Sequence, residues 1–171
     1  KKNVRDKIRS VTILDGSVLL YNDSLKDFKE LKYIKFPESL KQIGEKCFSG
    51  CSKLEKLYIP YTIEKVPKNA FEKCPKLTSV TANSKFLDCL PKNQISDLHV
   101  LNNEKKIENV SFEDFKNLKK IKFSEKVEDI PLNNFRNCPK LTEIICSEDL
   151  LQNLNEEDKE NFQNIELNNI K

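Results

Sequence analysis

The sequence predicts an α/β repeat solenoid, a coil of about eight rungs with a parallel strand face on one side and short helical turns opposite. Two observations carry this. An apolar triplet, spaced apolar-x-x-apolar-x-apolar, returns eight times, with leading residues 23, 23, 23, 18, 23, 23 and 21 positions apart. Self-similarity at such a period is the mark of stacked repeats. A longer duplication lies on top of it: Ile8–Leu54 matches Ile95–Leu141 at a shift of 87, so that Asp27-Phe28-Lys29 returns as Asp114-Phe115-Lys116.

The triplets run Ile8/Val11/Ile13, Leu31/Ile34/Phe36, Leu54/Leu57/Ile59 and Leu77/Val80/Ala82. They continue as Ile95/Leu98/Val100, Leu118/Ile121/Phe123, Leu141/Ile144/Cys146 and Phe162/Ile165/Leu167. Their alternation reads as a short strand with one face inward. Nine and twelve residues after the leader come two more apolar positions, Leu40/Ile43, Ile63/Val66 and Val127/Ile130, a second extended piece. Seventeen and twenty after it come Leu25/Phe28, Phe48/Cys51, Phe71/Cys74, Phe112/Phe115 and Phe135/Cys138, spaced as on one helical turn. Ser24 and Ser111 precede two of these turns, each with an Asp three residues on, so a capping-box start is expected. Pro67 and Pro131 stand before the equivalent turn in other units, where a missing N–H costs little. The 18-residue unit Leu77–Gln94 is too short for the helical turn, and a local irregularity or change of curvature is expected there. One rung cannot bury its own apolar edge, but rungs stacked at ~4.8 Å can, each supporting the next. Residues 1–171 are expected to form one such domain.

The strings Leu54-Glu-Lys-Leu-Tyr-Ile-Pro60, Ile63-Glu-Lys-Val66 and Ala70-Phe-Glu-Lys-Cys-Pro-Lys-Leu77 resemble the BspA-like class of leucine-rich repeats. That class shows a strand followed by Pro, a Val-x-x-Ile step, then Ala-Phe-x-x-Cys-x-x-Leu. The resemblance covers nearly the whole chain. It departs at Leu77–Gln94 and in the Ile8 and Ile95 units, where Phe28 and Phe115 stand in the Cys slot. It implies a leucine-rich repeat coil that binds or adheres to other proteins, a cell-surface or secreted location, and no catalytic residues.

Composition narrows the function classes. The net charge is +3 in a chain that is 33% charged, which argues against a dedicated nucleic-acid or membrane-surface binder. No run approaches the ~18 apolar residues of a membrane span. The first residues, Lys1-Lys-Asn-Val-Arg, lack a signal-peptide core, and with no starting Met the chain is expected to have been trimmed. The last triplet ends at Ile170 without a polar capping helix, and an open strand edge invites pairing. Either the natural chain continues, which we favour, or this edge makes a homodimer.

The six cysteines all fall in apolar slots and are expected to be buried and free. Cys51, Cys74 and Cys138 replace Phe28 and Phe115, Cys89 matches Ile43, Cys146 matches Ile59, and Cys47 matches Ala70. No Cys-x-x-Cys or nearby His completes a metal site. A Cys51–Cys74 bridge between adjacent rungs is the one pairing the spacing permits, and disulfide geometry disfavours it. Free thiols favour a reducing compartment, hence the competing reading of an intracellular scaffold. The single His99 has no paired nucleophile, three glycines form no phosphate loop, and the carboxylates are scattered. No enzyme activity, cofactor or metal is expected. Asn22-Asp-Ser24 and Asn109-Val-Ser111 are glycosylation sequons, although Ser capping explains their recurrence better.

A protein partner is expected on the strand face, at positions two and four after each leader. These are Ser10/Thr12, Tyr33/Lys35, Lys56/Tyr58, Ser79/Thr81, Asp97/His99, Lys120/Lys122, Glu143/Ile145 and Asn164/Glu166. Tyr33, Lys35, Lys56 and Tyr58 fall side by side, aromatics flanked by cations as in an interface hot spot, though ordinary cross-strand pairing also favours them. His99, Lys120 and Lys122 form a second group. Lys35, Lys56, Lys120 and Lys122 would also suit an acidic partner or polyanion, although such charges usually mark a solvated face.

Overall fold

The computed structural model describes residues 4–108, 110–130, 135 and 137–170. Eight strands fall on the eight triplets: β1 (Ser10–Thr12), β3 (Tyr33–Lys35), β5 (Lys56–Tyr58), β6 (Ser79–Asn83), β7 (Asp97–Leu101), β8 (Lys120–Phe123), β9 (Glu143–Cys146) and β10 (Glu166–Asn169). The second extended pieces appear as β2 (Leu19–Leu20) and β4 (Gln42–Ile43). Every pairing is parallel, and the inward residues align as a ladder, Leu57, Val80, Leu98, Ile121, Ile144 and Leu167. The leaders Leu31, Leu54, Leu77, Ile95 and Leu118 are fully buried behind it.

The strand face consists of two sheets. β1 pairs with β3, and β5 through β10 form a second sheet of six, but no backbone hydrogen bond joins β3 to β5. The seam is confined to this face. Across the same two rungs, Glu64 N–H donates to the Lys41 carbonyl at 2.7 Å, Phe48 N–H to Ala70 at 2.9 Å and Gly50 N–H to Glu72 at 2.9 Å. The rungs therefore stay tied at the back while the strands part at the front.

Aromatic rings stack from rung to rung inside the coil. Phe48 lies parallel on Phe71 at 5.4 Å between centroids, and Phe112 on Phe135 at 4.6 Å. Phe36 and Phe123 pack edge-on against these stacks. Five of the cysteines are buried as expected, with Cys89 half-buried, and all six are free thiols, including Cys51 and Cys74. Three of them repeat one hydrogen bond: Cys51, Cys74 and Cys138 donate to the carbonyls of Leu25, Phe48 and Phe112, each 26 residues earlier, at 3.1–3.3 Å. In these three units the slot holds a small apolar side chain with a weak donor at its tip.

The turns opposite the strands differ from the capping-box expectation. Ser24 Oγ donates to the Tyr21 carbonyl at 2.6 Å and caps no helix. Asp27, expected to complete the box, has φ 60°, as Gly50 and Lys73 at the same repeat position have 79° and 56°. A left-handed residue there ends the helix after one turn, and the turn closes by three-residue bonds such as Cys51 N–H to Phe48 O at 3.1 Å. Ser111 Oγ accepts from Glu113 N–H at 3.3 Å, capping a turn and no helix. Pro131 lies outside the described residues.

The short unit holds more helix than its length suggests. Two 3-10 segments, Ser84–Cys89 and Lys92–Gln94, close it, with Asn83 Oδ1 accepting from Lys85 N–H at 3.0 Å as the cap. Phe86 and Leu87 supply the buried pair. Two α-helices, α1 (Glu148–Gln152) and α2 (Glu156–Asn161), lie between β9 and β10. They correct the last rung. Phe162 follows α2 and packs edge-on against Phe135 at 6.3 Å, so it does not lead the strand. Leu167 pairs with Ile144, which restores the 23-residue step and makes Glu166 and Asn168 the outward pair in place of Asn164 and Glu166.

Candidate interaction face

Outward side chains of the strand face divide into two groups with small residues, Ser79 and Thr81 of β6, between them. The first group straddles the seam. Tyr33 and Lys35 stand on β3, Lys56 and Tyr58 on β5, all exposed, with Tyr33 54% and Tyr58 48% accessible. Neither the Lys35 nor the Lys56 ammonium meets a carboxylate among the described residues. Tyr61, 60% accessible, follows Tyr58 by three residues, past the turn at Pro60. The sequence reading missed it because it counted strand positions only. A Tyr three residues beyond an outward Tyr across a Pro turn was the available signal.

The second group is knitted together. Asp97, Lys120 and Glu143 share one cross-strand row, and His99 and Lys122 the next. Lys120 Nζ pairs with Glu143 at 2.9 Å. The hydrogen bond from Lys120, helped by one from Asn168 Nδ2 at 3.2 Å, holds the Glu143 carboxyl below the usual carboxylate range and raises the Lys120 ammonium in turn. Lys120 is therefore already partnered within the protein. Lys122 has no such partner among the described residues.

His99 differs from the expected surface residue: it is half-buried between β6 and β8. Burial lowers its pKa first, the Lys122 ammonium lowers it further, and Asp97 opposes both. Beyond His99 and Lys122, at the C-terminal ends of β7 and β8, opens a cleft of about 310 Å³ whose walls include Leu101, Ser124, Lys126 and Ile170. Ser124 Oγ clasps the Asn102 backbone, accepting from its N–H at 3.0 Å and donating to its carbonyl at 2.6 Å, which fixes one wall.

Elsewhere the side chains offer little chemistry. Burial pushes the thiols of Cys47 and Cys74 up to about 11 and that of Cys51 to about 12, so they resist ionisation. Among the described residues no three His, Cys, Asp or Glu side chains are grouped to hold a metal ion, and no helix is long and apolar enough to cross a membrane. Asn22 lies exposed on a turn with its Oδ1 accepting from Glu45 N–H at 2.8 Å, while Asn109 lies outside the described residues.

No curated protein matches the sequence. Among solved structures, the chain is similar to the pneumococcal vaccine antigen PcpA, with 16% identity and a TM-score of 0.53 over 96% of this chain and 42% of that one. It is also similar to the T. pallidum leucine rich repeat protein TpLRR, with 21% identity and a TM-score of 0.44 over 80% of this chain and 58% of that one. The chain thus spans roughly half the length of those proteins. A model of the BspA type leucine rich repeat region matches six copies, over residues 3–93 and 87–171. With nearly every rung matched and the strands falling on the repeat, the chain belongs to the BspA-type leucine-rich repeat family.

Proposed function

We propose that this chain is a non-enzymatic protein-interaction module that grips a partner on its strand face, serving adhesion at a cell surface. The observation that carries this reading is the cluster of Tyr33, Lys35, Lys56 and Tyr58, exposed together across the seam with both ammoniums unpaired among the described residues. Tyr buries area while keeping a polar handle, which suits the centre of an interface. Tyr61 enlarges the patch. His99, Lys120 and Lys122 extend it along the strands, Lys120 least because Glu143 already holds it.

A second reading, an intracellular scaffold, is favoured by the six reduced thiols. The outer edge of β10 has no strand partner among the described residues, and a second copy pairing there is a further route to a homodimer. Staining intact and permeabilised source cells with an antibody to this chain separates the two locations: signal on intact cells supports adhesion, and signal only after permeabilisation supports the scaffold. The patch itself is tested by the binding of fluorescent protein to the labelled cells or lysate. Tyr33→Ala with Tyr58→Ala is expected to weaken binding about tenfold or more while stability changes by only about 0.5 kcal/mol. Unchanged affinity would discard the patch.

A further inference from the structure

We infer that the cleft at the C-terminal ends of β7 and β8 receives a carboxylate side chain of the partner protein, which Lys122 and His99 contact while Leu101 and Ile170 hold its apolar neighbour. The inference rests on the reading of the strand face as an interaction surface and names the chemistry one part of it selects.

Charge complementarity is the first argument. The outward rows of β7, β8 and β9 carry two lysines, and only one is neutralised: Lys120 is paired with Glu143 at 2.9 Å, whereas Lys122 faces His99 in register. Among the described residues the charged groups near the imidazole can be named. Asp97 lies on the same strand, Lys122 lies across from it, Lys120 is committed to Glu143, and Glu125 and Lys126 stand at the rim. Burial lowers the proton affinity of His99 first, and the Lys122 ammonium across the strand lowers it further against Asp97. Shape is the second argument. The cleft, about 310 Å³, has room for one or two side chains, and its walls mix Leu101 and Ile170 with the Ser124–Asn102 clasp. A polyanion would need a longer run of cations than the cleft offers. An acidic residue beside an apolar one fits both the charge and the walls.

His99 is the single histidine of the chain, so its imidazole gives one unambiguous NMR signal. The probes are N-acetyl-Phe-Glu-amide, its Phe-Gln counterpart and inorganic phosphate, each titrated into the intact protein. The Glu peptide is expected to shift the His99 signals saturably and to raise the His99 titration midpoint by about half a pH unit or more, because a nearby anion favours the imidazolium. The Gln peptide should do neither. Lys122→Gln should raise the midpoint in the free protein and weaken the Glu peptide about fivefold. Lys122 is half-buried on the outward face and makes no ion pair among the described residues, and an unchanged remainder of the spectrum verifies that the variant folds.

Silence of His99 toward the Glu peptide at about 10 mM, at which even a millimolar site would be filled, overturns the inference. So does an equal response to the Gln peptide, or an equal response to phosphate, which would make the cleft a site for small anions only. Failure here is distinguishable from failure of the broader reading. Tyr33→Ala with Tyr58→Ala should weaken cell or lysate binding about tenfold or more yet leave the His99 response intact, and a silent His99 beside undiminished partner binding would remove this pocket alone.

Discussion

From β5 to β10 each strand is hydrogen-bonded to the next, most outward side chains are half-buried, and Lys120 is held by Glu143. From β1 to β5 the same repeat gives a broken ladder and an outward row of exposed tyrosines and lysines. The large exposed hydrophobics among the described residues, Val4 to Tyr61, all belong to that first part. The contrast does not come from the core, because Leu31, Leu54, Leu77 and Leu118 are equally buried in both. It shows that in a solenoid the interior and the strand face are governed separately. Apolar ladders and back-side hydrogen bonds keep the rungs stacked, which leaves the front free to part at one seam and to carry residues that neighbouring strands do not cover.

The comparison can be broken at the core. If the two parts share one interior, Phe112→Ala and Phe48→Ala should each cost about 3–5 kcal/mol in denaturant unfolding, since each removes a stacked ring from a filled ladder. A loss confined to one of them would mean that the two parts are not built alike. Hydrogen exchange sharpens the contrast at the front. The amides of Ile34, Lys56 and Tyr58 border the seam and should exchange about tenfold or more faster than those of Val80, Leu98 and Ile121. Equal protection would show that β3 and β5 pair in solution. The smallest effect is electrostatic. Glu143 has a lowered pKa, so its contribution is present above the unfolded carboxylate value and is lost as pH falls through the lower folded value. Both partners are screened by solvent, so Glu143→Gln should produce a loss near the detection limit of thermal unfolding that vanishes in high salt.

Much of this was legible from the residues. The leaders, the inward strand positions and the paired turn residues could be read because stacking forces each of them onto the same axis, where only apolar side chains fit. What escaped depended on the backbone or on local geometry. The seam is made of absent main-chain bonds between β3 and β5, and their side chains keep the pattern of an intact rung. Left-handed Lys73 looks like an ordinary helix former and Asp27 like the acid of a capping box, and Gly50 is the clearest hint at the conformation they share. Phe162 fitted the spacing of a leader, yet α2 delivers it to the Phe135 ring, and nothing in the period distinguishes the two uses. The face positions of Tyr33, Tyr58, His99 and Lys122 were readable from strand alternation, but the degree of cover over His99 was not, because it depends on the neighbours Thr81 and Lys122 in the actual register.

The thiol bonds that reach back 26 residues have a consequence for how such coils grow and shrink. Cys51, Cys74 and Cys138 each answer a carbonyl in the turn of the unit before, whereas Phe115 follows the unit that lacks the regular turn. At Phe115 the choice of Phe over Cys therefore goes with the shape of the preceding unit. Removing or inserting a unit would place the wrong residue in the unit that follows, either a donor facing empty space or a ring pressed against a carbonyl. A tandem array of this kind is read in one direction, and its units are not freely exchangeable parts.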